Sequence, residues 1–284
     1  MDRVLHSPTP LTSSNRPALL RAMTSVVKAA CAEIMRVYQG TSVVGHKPDH
    51  SPLTEADLAA HDALVVGLGR LMPNWPVVSE EGRLPPYAER QRWPAYWLAD
   101  PLDGTQEFLA ESGEFTVNLA LIEHGRPTLG VVGVPARGQF FVGDVKQRMA
   151  QRIGAGGTRL LRARAHSGRS PIVVASRRHG DDHFDAALKA IEQHYGSVSL
   201  RRAGSALKLC ALAEGEADLY PRLAPTSEWD TAAGQAILEA AGGAVLQLSG
   251  TALAYSKPSV LNPPFVAMAD PKVDWVRFFG ATPR

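Results

Sequence analysis

The chain of 284 residues is poor in cysteine, in aromatic residues and in net charge, with two Cys, 7% Phe, Trp and Tyr, and a formal charge of +2. Two cysteines, Cys31 and Cys210, both in apolar helical-looking stretches, exclude a disulfide-stapled scaffold. They read as buried free thiols of a protein in a reducing cytoplasm. Near-balance of 30 basic and 28 acidic residues gives no general attraction to nucleic acid or to an anionic surface. No apolar run approaches the roughly 20 residues that span a bilayer. The first 16 residues are rich in Ser, Thr and Pro and lack the apolar core of a secretory signal, so a disordered tail is expected there. No internal repeat is present. The 45% hydrophobic and 20% charged fractions are those of an ordinary globular protein, long enough for one large domain or two packed subdomains.

Against this plain background one stretch stands out, Leu98-Ala99-Asp100-Pro101-Leu102-Asp103-Gly104-Thr105. It follows an apolar run, Tyr96 to Ala99, that reads as a buried strand. Asp100 and Asp103 arrive at the strand's end, where Pro101 and Gly104 force a tight turn. Hard oxygen ligands crowded on one turn suggest a Mg²⁺ site, and the Thr105 hydroxyl beside them suggests phosphate chemistry.

The elements around this turn follow from periodicity. A helix is expected over 17–39, with Asn15 as its cap, Pro17 in its first turn and Gly40 at its end. Thr54 should cap a second helix running to about Gly69, with Leu58, Leu64, Val65 and Leu68 inward. A short strand, 76–79, leads to Glu80-Glu81, and 83–95 reads as a surface loop with three prolines. Strands over 116–123, 128–134 and 139–142 make a consecutive, α+β arrangement. The Arg- and Lys-rich stretch 144–170 reads as a solvated hairpin and linker, because no aromatic residues interleave with its charges. Beyond it, strands at 172–175, 198–202, 217–220, 244–248 and 265–269 accompany helices at 181–195, 205–214 and 230–241, an α/β pattern. Two subdomains are therefore expected after the 1–16 tail: an α+β half, 17–165, carrying most of the candidate metal ligands, and an α/β half, 166–284.

Glu80, like Asp100, sits just past an apolar strand, so the two can meet at one sheet edge. Asp230 opens a helix, where a cap or first-turn acid is equally at home. Together Glu80, Asp100, Asp103 and Asp230, with the Leu102 carbonyl between the two turn aspartates, would repel one another unless cations neutralised them. Two or three Mg²⁺ ions would do so, and paired metals serve in-line displacement at phosphorus.

These pieces resemble the inositol monophosphatase superfamily of lithium-sensitive, Mg²⁺-dependent phosphatases. The resemblance is carried by Glu80-Glu81, Asp-Pro-Leu-Asp-Gly-Thr at 100–105, Trp229-Asp230-Thr231-Ala232-Ala233-Gly234, and Ser51-Pro52-Leu53-Thr54-Glu55-Ala56-Asp57, and it runs from about residue 17 over nearly the whole chain. It implies a layered αβαβα sandwich of the sugar-phosphatase type. It also implies Glu80, Asp100, the Leu102 carbonyl, Asp103 and Asp230 as metal ligands, and Asp57 with Thr105 as the pair that orients and deprotonates the attacking water. The Gly104 and Thr105 amides would bind phosphate oxygens. Of these, Glu80, Leu102, Asp103, Gly104, Thr105 and Asp230 would also touch substrate.

In the second half, Ser176-Arg177-Arg178-His179, Gly204-Ser205-Ala206-Leu207-Lys208, Ala217 to Arg222 and Pro225 to Thr231 resemble the 3'(2'),5'-bisphosphate nucleotidase branch. That implies removal of the 3'-phosphate of adenosine 3',5'-bisphosphate. His179, Ser205, Lys208 and Arg222 would then face the nucleotide, Lys208 and Arg222 serving its second phosphate. Leu223-Ala224 and Ser227 stand where branch members often have Phe-Gly and Met, and Ala203 to Ala206 also departs from the usual pattern. Other readings stay open: an inositol- or sugar-phosphate phosphatase, or an inactive nucleotide-binding protein. The expected partner is a small nucleotide bisphosphate rather than nucleic acid. A homodimer is allowed, as is a cytoplasmic location with peripheral contact to the inner membrane.

Overall fold

The computed structural model describes residues 12–38, 43–46, 52–177 and 182–280. Most of the expected tail, residues 1–11, lies outside them, as does His179. The first helix, α1 (Arg16–Val37), starts one residue before the expected boundary. Asn15 occupies the cap position but makes no side-chain cap bond there. Arg16 is buried, with Nε 3.0 Å from Asp144 Oδ2 and Nη1 2.9 Å from Glu123 Oε2, so the folded chain begins before residue 17.

Helix α2 (Glu55–Leu71) follows the cap Thr54 and lies against α1. Its buried stripe is Ala56, Ala60, Leu64 and Leu68, four residues apart. Leu58 and Val65 were expected inward, but they are 43% and 39% exposed. One stripe of α2 is enough to cover its neighbours, and these two side chains fall off it. The 83–95 segment is also more ordered than a loop. It holds a helical turn, α3 (Tyr87–Arg90), whose buried Arg90 donates to the carbonyls of Pro85, Lys257 and Pro258.

A seven-stranded sheet takes its strands in sequence order: Val77–Ser79, Ala95–Asp103, Thr116–Glu123, Arg126–Val134, Gln139–Asp144, Met149–Gly154 and Gly157–Leu160. The last two form the expected hairpin, and they extend the sheet rather than leaving it. A second, five-stranded sheet is built from Ile172–Ala175, Ser199–Arg202, Leu219–Arg222, Ala244–Gln247 and Phe265–Met268. The change of sheet falls between Leu160 and Ile172. Four further helices are described: α4 (Thr105–Leu109), α5 (Asp182–Tyr195), α6 (Leu207–Ala213) and α7 (Glu228–Ala241).

Alternation along the strands sorts these elements into layers. Trp97, Ala99, Leu119 and Leu121 face α1 and α2, whereas Tyr96, Leu98, Ala120 and Ile122 face the core shared with α6 and α7. In the second sheet Val174, Phe265 and Ala267 turn to that same central core, while Val173, Ala175, Val266 and Met268 meet Phe184 and Ile191 of α5 and Trp275. The order is αβαβα. A helix between two sheets must be largely apolar, and α7 buries Ala232, Ala233, Ala236, Ile237 and Leu238, with its buried Thr231 and Gln235 bonded to the Tyr255 hydroxyl. Its close approach needs small residues beneath it. A Cβ on Gly130 would meet the Ala233 carbonyl, and one on Gly143 the Ile237 backbone.

Candidate active site

The strand pair Val77–Ser79 and Ala95–Asp103 is parallel, with Ser79 opposite Ala99. The next residues, Glu80 and Asp100, therefore leave the sheet at the same edge, and the Glu80 amide donates to the Ala99 carbonyl at 3.2 Å. Against the following antiparallel strand, Asp100 pairs with Asn118 and Asp103 with Thr116, so two residues oppose one between them. This bulge bends the chain so that Asp103 stays beside Asp100 instead of alternating away. The Leu102 amide donates to Asp100 Oδ1 at 3.0 Å and closes the turn. Gly104 has φ +89°, and a Cβ there would overlap Ser205 Oγ, so only glycine serves.

Two aspartates reach the site from helix starts. Asp57 is the third residue of α2, where its Oδ2 accepts from the Thr54 amide at 2.8 Å and the Thr54 hydroxyl at 2.5 Å. Its other oxygen, Oδ1, lies 3.4 Å from Thr105 Oγ1, which lies equally 3.4 Å from the Leu102 carbonyl. Asp230 is the third residue of α7, its Oδ2 accepting from the Ser227 amide at 2.9 Å. Both satisfy capping boxes, so the cap holds each carboxylate in one orientation while the site remains open to it. The start of α7 is fixed in turn by Asn262, which donates to Thr226 Oγ1, the Ser227 carbonyl and Thr231 Oγ1 at 3.2, 2.8 and 3.0 Å.

These elements enclose a cleft of about 320 Å³. Its lining has an acidic set, the acidic wall of Glu80, Asp100, Leu102, Asp103, Thr105 and Asp230, and a cationic set of Arg177, Lys208 and Arg222 with Ser205. Asp57 stands behind Thr105. The cleft is thus lined by every expected site residue among the described ones except Asp57, while His179 lies outside them. Sequence reasoning missed Asn118 and Thr116, which donate to Asp103 Oδ2 at 3.2 and 3.5 Å. Their signal was available, as two polar residues at i and i+2 in an otherwise apolar strand. It also missed Gln106 and Glu107, which line the cleft.

The charges are poorly matched without added cations. Burial raises the Asp103 carboxyl above its usual range, against the pull of Lys208 and the Asn118 hydrogen bond. Burial, then the charges of Asp103 and Glu80, push Asp230 well up. Lys208 is buried too. Its Nζ donates to the Ser205 carbonyl at 2.7 Å and faces the Tyr220 ring at 5.4 Å, and burial lowers its pKa to about 8 despite the charge of Asp103. Acidic oxygens held unwillingly charged in one cleft fit hard divalent cations. Among the described residues no three acidic, His or Cys side chains converge into a ready-made metal cage. Ser205 is less free than expected. Its hydroxyl donates to the Asp103 and Glu114 carbonyls, each at 2.8 Å, leaving it only acceptor capacity for a ligand.

Known proteins share this architecture. The chain is 44% identical to the 3'(2'),5'-bisphosphate nucleotidase CysQ of Escherichia coli (strain K12) over 250 residues, 87% of this chain and 98% of that one. It is 36% identical to the CysQ of Buchnera aphidicola, over 88% and 94% of the two chains. The crystal structure of CysQ from Bacteroides thetaiotaomicron superposes with a TM-score of 0.80 at 35% identity, covering 90% of this chain and 98% of that one. An inositol monophosphatase from Zymomonas mobilis shares the fold, with a TM-score of 0.75 at 22% identity over 95% and 100% of the chains. Proteins of this kind are generally Mg²⁺-dependent. Residues 15–273 match the model of the inositol monophosphatase family, and the chain belongs to that family.

Proposed function

We propose that the protein is a Mg²⁺-dependent 3'(2'),5'-bisphosphate nucleotidase that hydrolyses adenosine 3',5'-bisphosphate to AMP and phosphate. The observation that carries this reading is a single cleft with an acidic wall and a cationic wall, in a chain 44% identical to nucleotidases of that name. A monophosphate ester needs only the acidic wall and its metals. A second phosphate gives the cations opposite a purpose.

Glu80, Asp100, the Leu102 carbonyl, Asp103 and Asp230 would hold two or three Mg²⁺ ions. Bound Mg²⁺ supplies Lewis acidity, neutralising the charge gathered by the carboxylates and the ester phosphate. The chain's own residues handle the proton. With the Thr105 hydroxyl proton directed to Asp57 Oδ1, the Thr105 oxygen offers a lone pair to an attacking water. The water's proton passes to Thr105 as the Thr105 proton passes to Asp57. Asn118 and Thr116 hold Asp103 in its ligand orientation, as outer partners of metal ligands commonly do. Across the cleft, Lys208 and Arg222 would hold the second phosphate, with Ser205 as an acceptor near the sugar.

The test is phosphate release from adenosine 3',5'-bisphosphate, inositol 1-phosphate and fructose 1,6-bisphosphate, with and without Mg²⁺. Mg²⁺-dependent release, fastest from the nucleotide, is expected. Faster release from inositol 1-phosphate would move the protein to the inositol-phosphate reading. Nucleotide binding without any release would make it an inactive binding protein.

A further inference from the structure

Two stretches of the cleft lining, 102–107 and 203–208, come from distant parts of the chain, and the side chains of Ser205 and Glu114 tie them. Glu114 sits in the short connection between α4 and the Thr116–Glu123 strand, on the acidic side. Its Oε2 accepts from the Gly204 amide at 2.8 Å and from Arg177 Nη2 at 3.0 Å. Both partners belong to the opposite wall and both line the cleft. Its carbonyl accepts the Ser205 hydroxyl. Gly204 is pressed so close that a Cβ would meet the Glu114 carbonyl at 2.7 Å. The neighbouring Ser205 holds φ at +48°, a conformation costly for a residue with a side chain. Local preference does not produce that backbone, so the tertiary contacts must impose it.

Arg177 is the more telling partner. It is 44% exposed at the rim and would otherwise sample many rotamers. Glu114 restrains one of its nitrogens, and Arg202 Nη1 holds the backbone beneath it through the carbonyls of Ser176 and Arg177, at 2.8 and 3.3 Å. Beside it Arg222 Nη1 donates to Ser176 Oγ at 3.0 Å, while its buried Nε has no hydrogen-bond partner. Two guanidinium groups from separate segments are thus gathered about Ser176, with Arg222 Nη2 also donating to the Pro225 carbonyl at 3.0 Å. A planar fork of this kind suits phosphate oxygens.

We infer that Glu114 is a positioning residue for the substrate wall, holding Gly204 and Arg177 so that Arg177 joins Arg222 on the second phosphate of a bisphosphate nucleotide. This rests on the proposed nucleotidase activity and assigns Arg177 a part in its selectivity. Glu114 acts by preorganisation. Its negative charge offsets some of the attraction of Arg177 for an anion, but the charge-assisted contact removes the entropy of fixing a long side chain at the moment of binding.

The experiment compares steady-state kinetics on adenosine 3',5'-bisphosphate and adenosine 3'-monophosphate for the parent protein, Glu114→Ala, Glu114→Gln, Arg177→Ala and the Glu114→Ala/Arg177→Ala pair. Mg²⁺ half-saturation is measured for each. Glu114→Ala should raise KM for the bisphosphate about tenfold more than for the monophosphate, the size of one lost charge-assisted hydrogen bond. Mg²⁺ half-saturation should move much less. Glu114→Gln, which keeps an acceptor for Gly204 and Arg177, should recover most of the loss. Arg177→Ala should shift the same ratio, and the pair should lose little more than the worse single variant. Equal losses on both substrates, additive losses in the pair, or a shift confined to kcat and Mg²⁺ would overturn the inference. Arg177→Ala, on the exposed rim, keeps the test decisive should Glu114→Ala not fold. A parent protein without preference for the bisphosphate would instead sink the nucleotidase reading itself.

Discussion

A single aspartate can be a helix cap and a candidate reactive group at once, because a carboxylate has two oxygens. Asp57 spends Oδ2 on the Thr54 cap and turns Oδ1 to Thr105. Asp230 spends Oδ2 on the Ser227 amide at the start of α7. The bland and the functional readings of these residues are therefore compatible. At this scale Thr105→Val should lower kcat by about 10²–10⁴-fold, the usual worth of a positioned proton acceptor. Mg²⁺ half-saturation should stay near the parent value, and a parallel loss of Mg²⁺ affinity would place Thr105 among the ligands instead. Asn118→Ala should weaken Mg²⁺ by about 10–100-fold, since it removes an outer partner of Asp103. Titration calorimetry with Mg²⁺ alone reads that directly.

Elements place these residues. The parallel strand pair brings Glu80 level with Asp100, and the bulge keeps Asp103 alongside. Helix α7 carries Asp230, and its start is held by two buried polar side chains, its own Glu228 and Asn262 from further along the chain. Asn262 bonds both sides of Asp230. Glu228 accepts from the Ser256 and Lys257 amides, each at 3.0 Å, and from Lys257 Nζ at 2.7 Å. Glu228→Ala leaves these donors without their acceptor, so unfolding free energy should fall by about 3 kcal/mol in denaturant titrations. On the far side of the molecule, Leu64→Ala opens a void between α1, α2 and the first sheet, at about 2–5 kcal/mol. Mg²⁺ binding to the folded Leu64→Ala protein should be intact. Weakened Mg²⁺ binding there would mean that the α1–α2 layer sets the site geometry.

At the scale of the whole molecule, pH should act in two opposed windows. Asp103 and Asp230 have folded pKa values raised, first by burial, so the folded state binds protons more tightly than the unfolded chain. Without Mg²⁺, stability should therefore increase as pH falls through those raised values toward about 3.9, the unfolded carboxyl value. Asp218 is the reverse. Burial pushes it up, but Arg164, the Ile172 amide and His166 together hold it below its usual value. Its contribution is complete above about 3.9 and is lost as pH falls further. Metal-free protein should show its highest melting temperature in mild acid. Saturating Mg²⁺ should raise the melting temperature at neutral pH and flatten the upper window. A metal-free profile that is flat between neutral and mildly acid pH would contradict the electrostatic picture of the cleft.

Much of this molecule was legible in one dimension. Apolar runs marked the strands and Thr54 marked the start of α2, but Asn15 makes no cap bond and α2 continues past Gly69 to Leu71. The acidic turn at 100–105 announced its chemistry through residue types at short spacing. These are local properties, set by backbone sterics and side-chain chemistry within a few residues. The exposure of Leu58 and Val65, the helical turn at Tyr87–Arg90 and the buried state of Lys208 were not legible. Each depends on which surface arrives from elsewhere: one stripe suffices for α2, Arg90 finds carbonyls some 167 residues away, and Lys208 is covered by its own half against the acidic wall. Glu114 is the sharpest case. On paper it is one more acid between a glycine and a strand, and only the packing of 110–115 against 203–205 makes it a tie across the cleft. Local residue order set most of the elements, the acidic turn and, with it, the candidate reaction. The tertiary structure decided which side chains face one another, because pairings between residues about a hundred positions apart are chosen by how the layers pack.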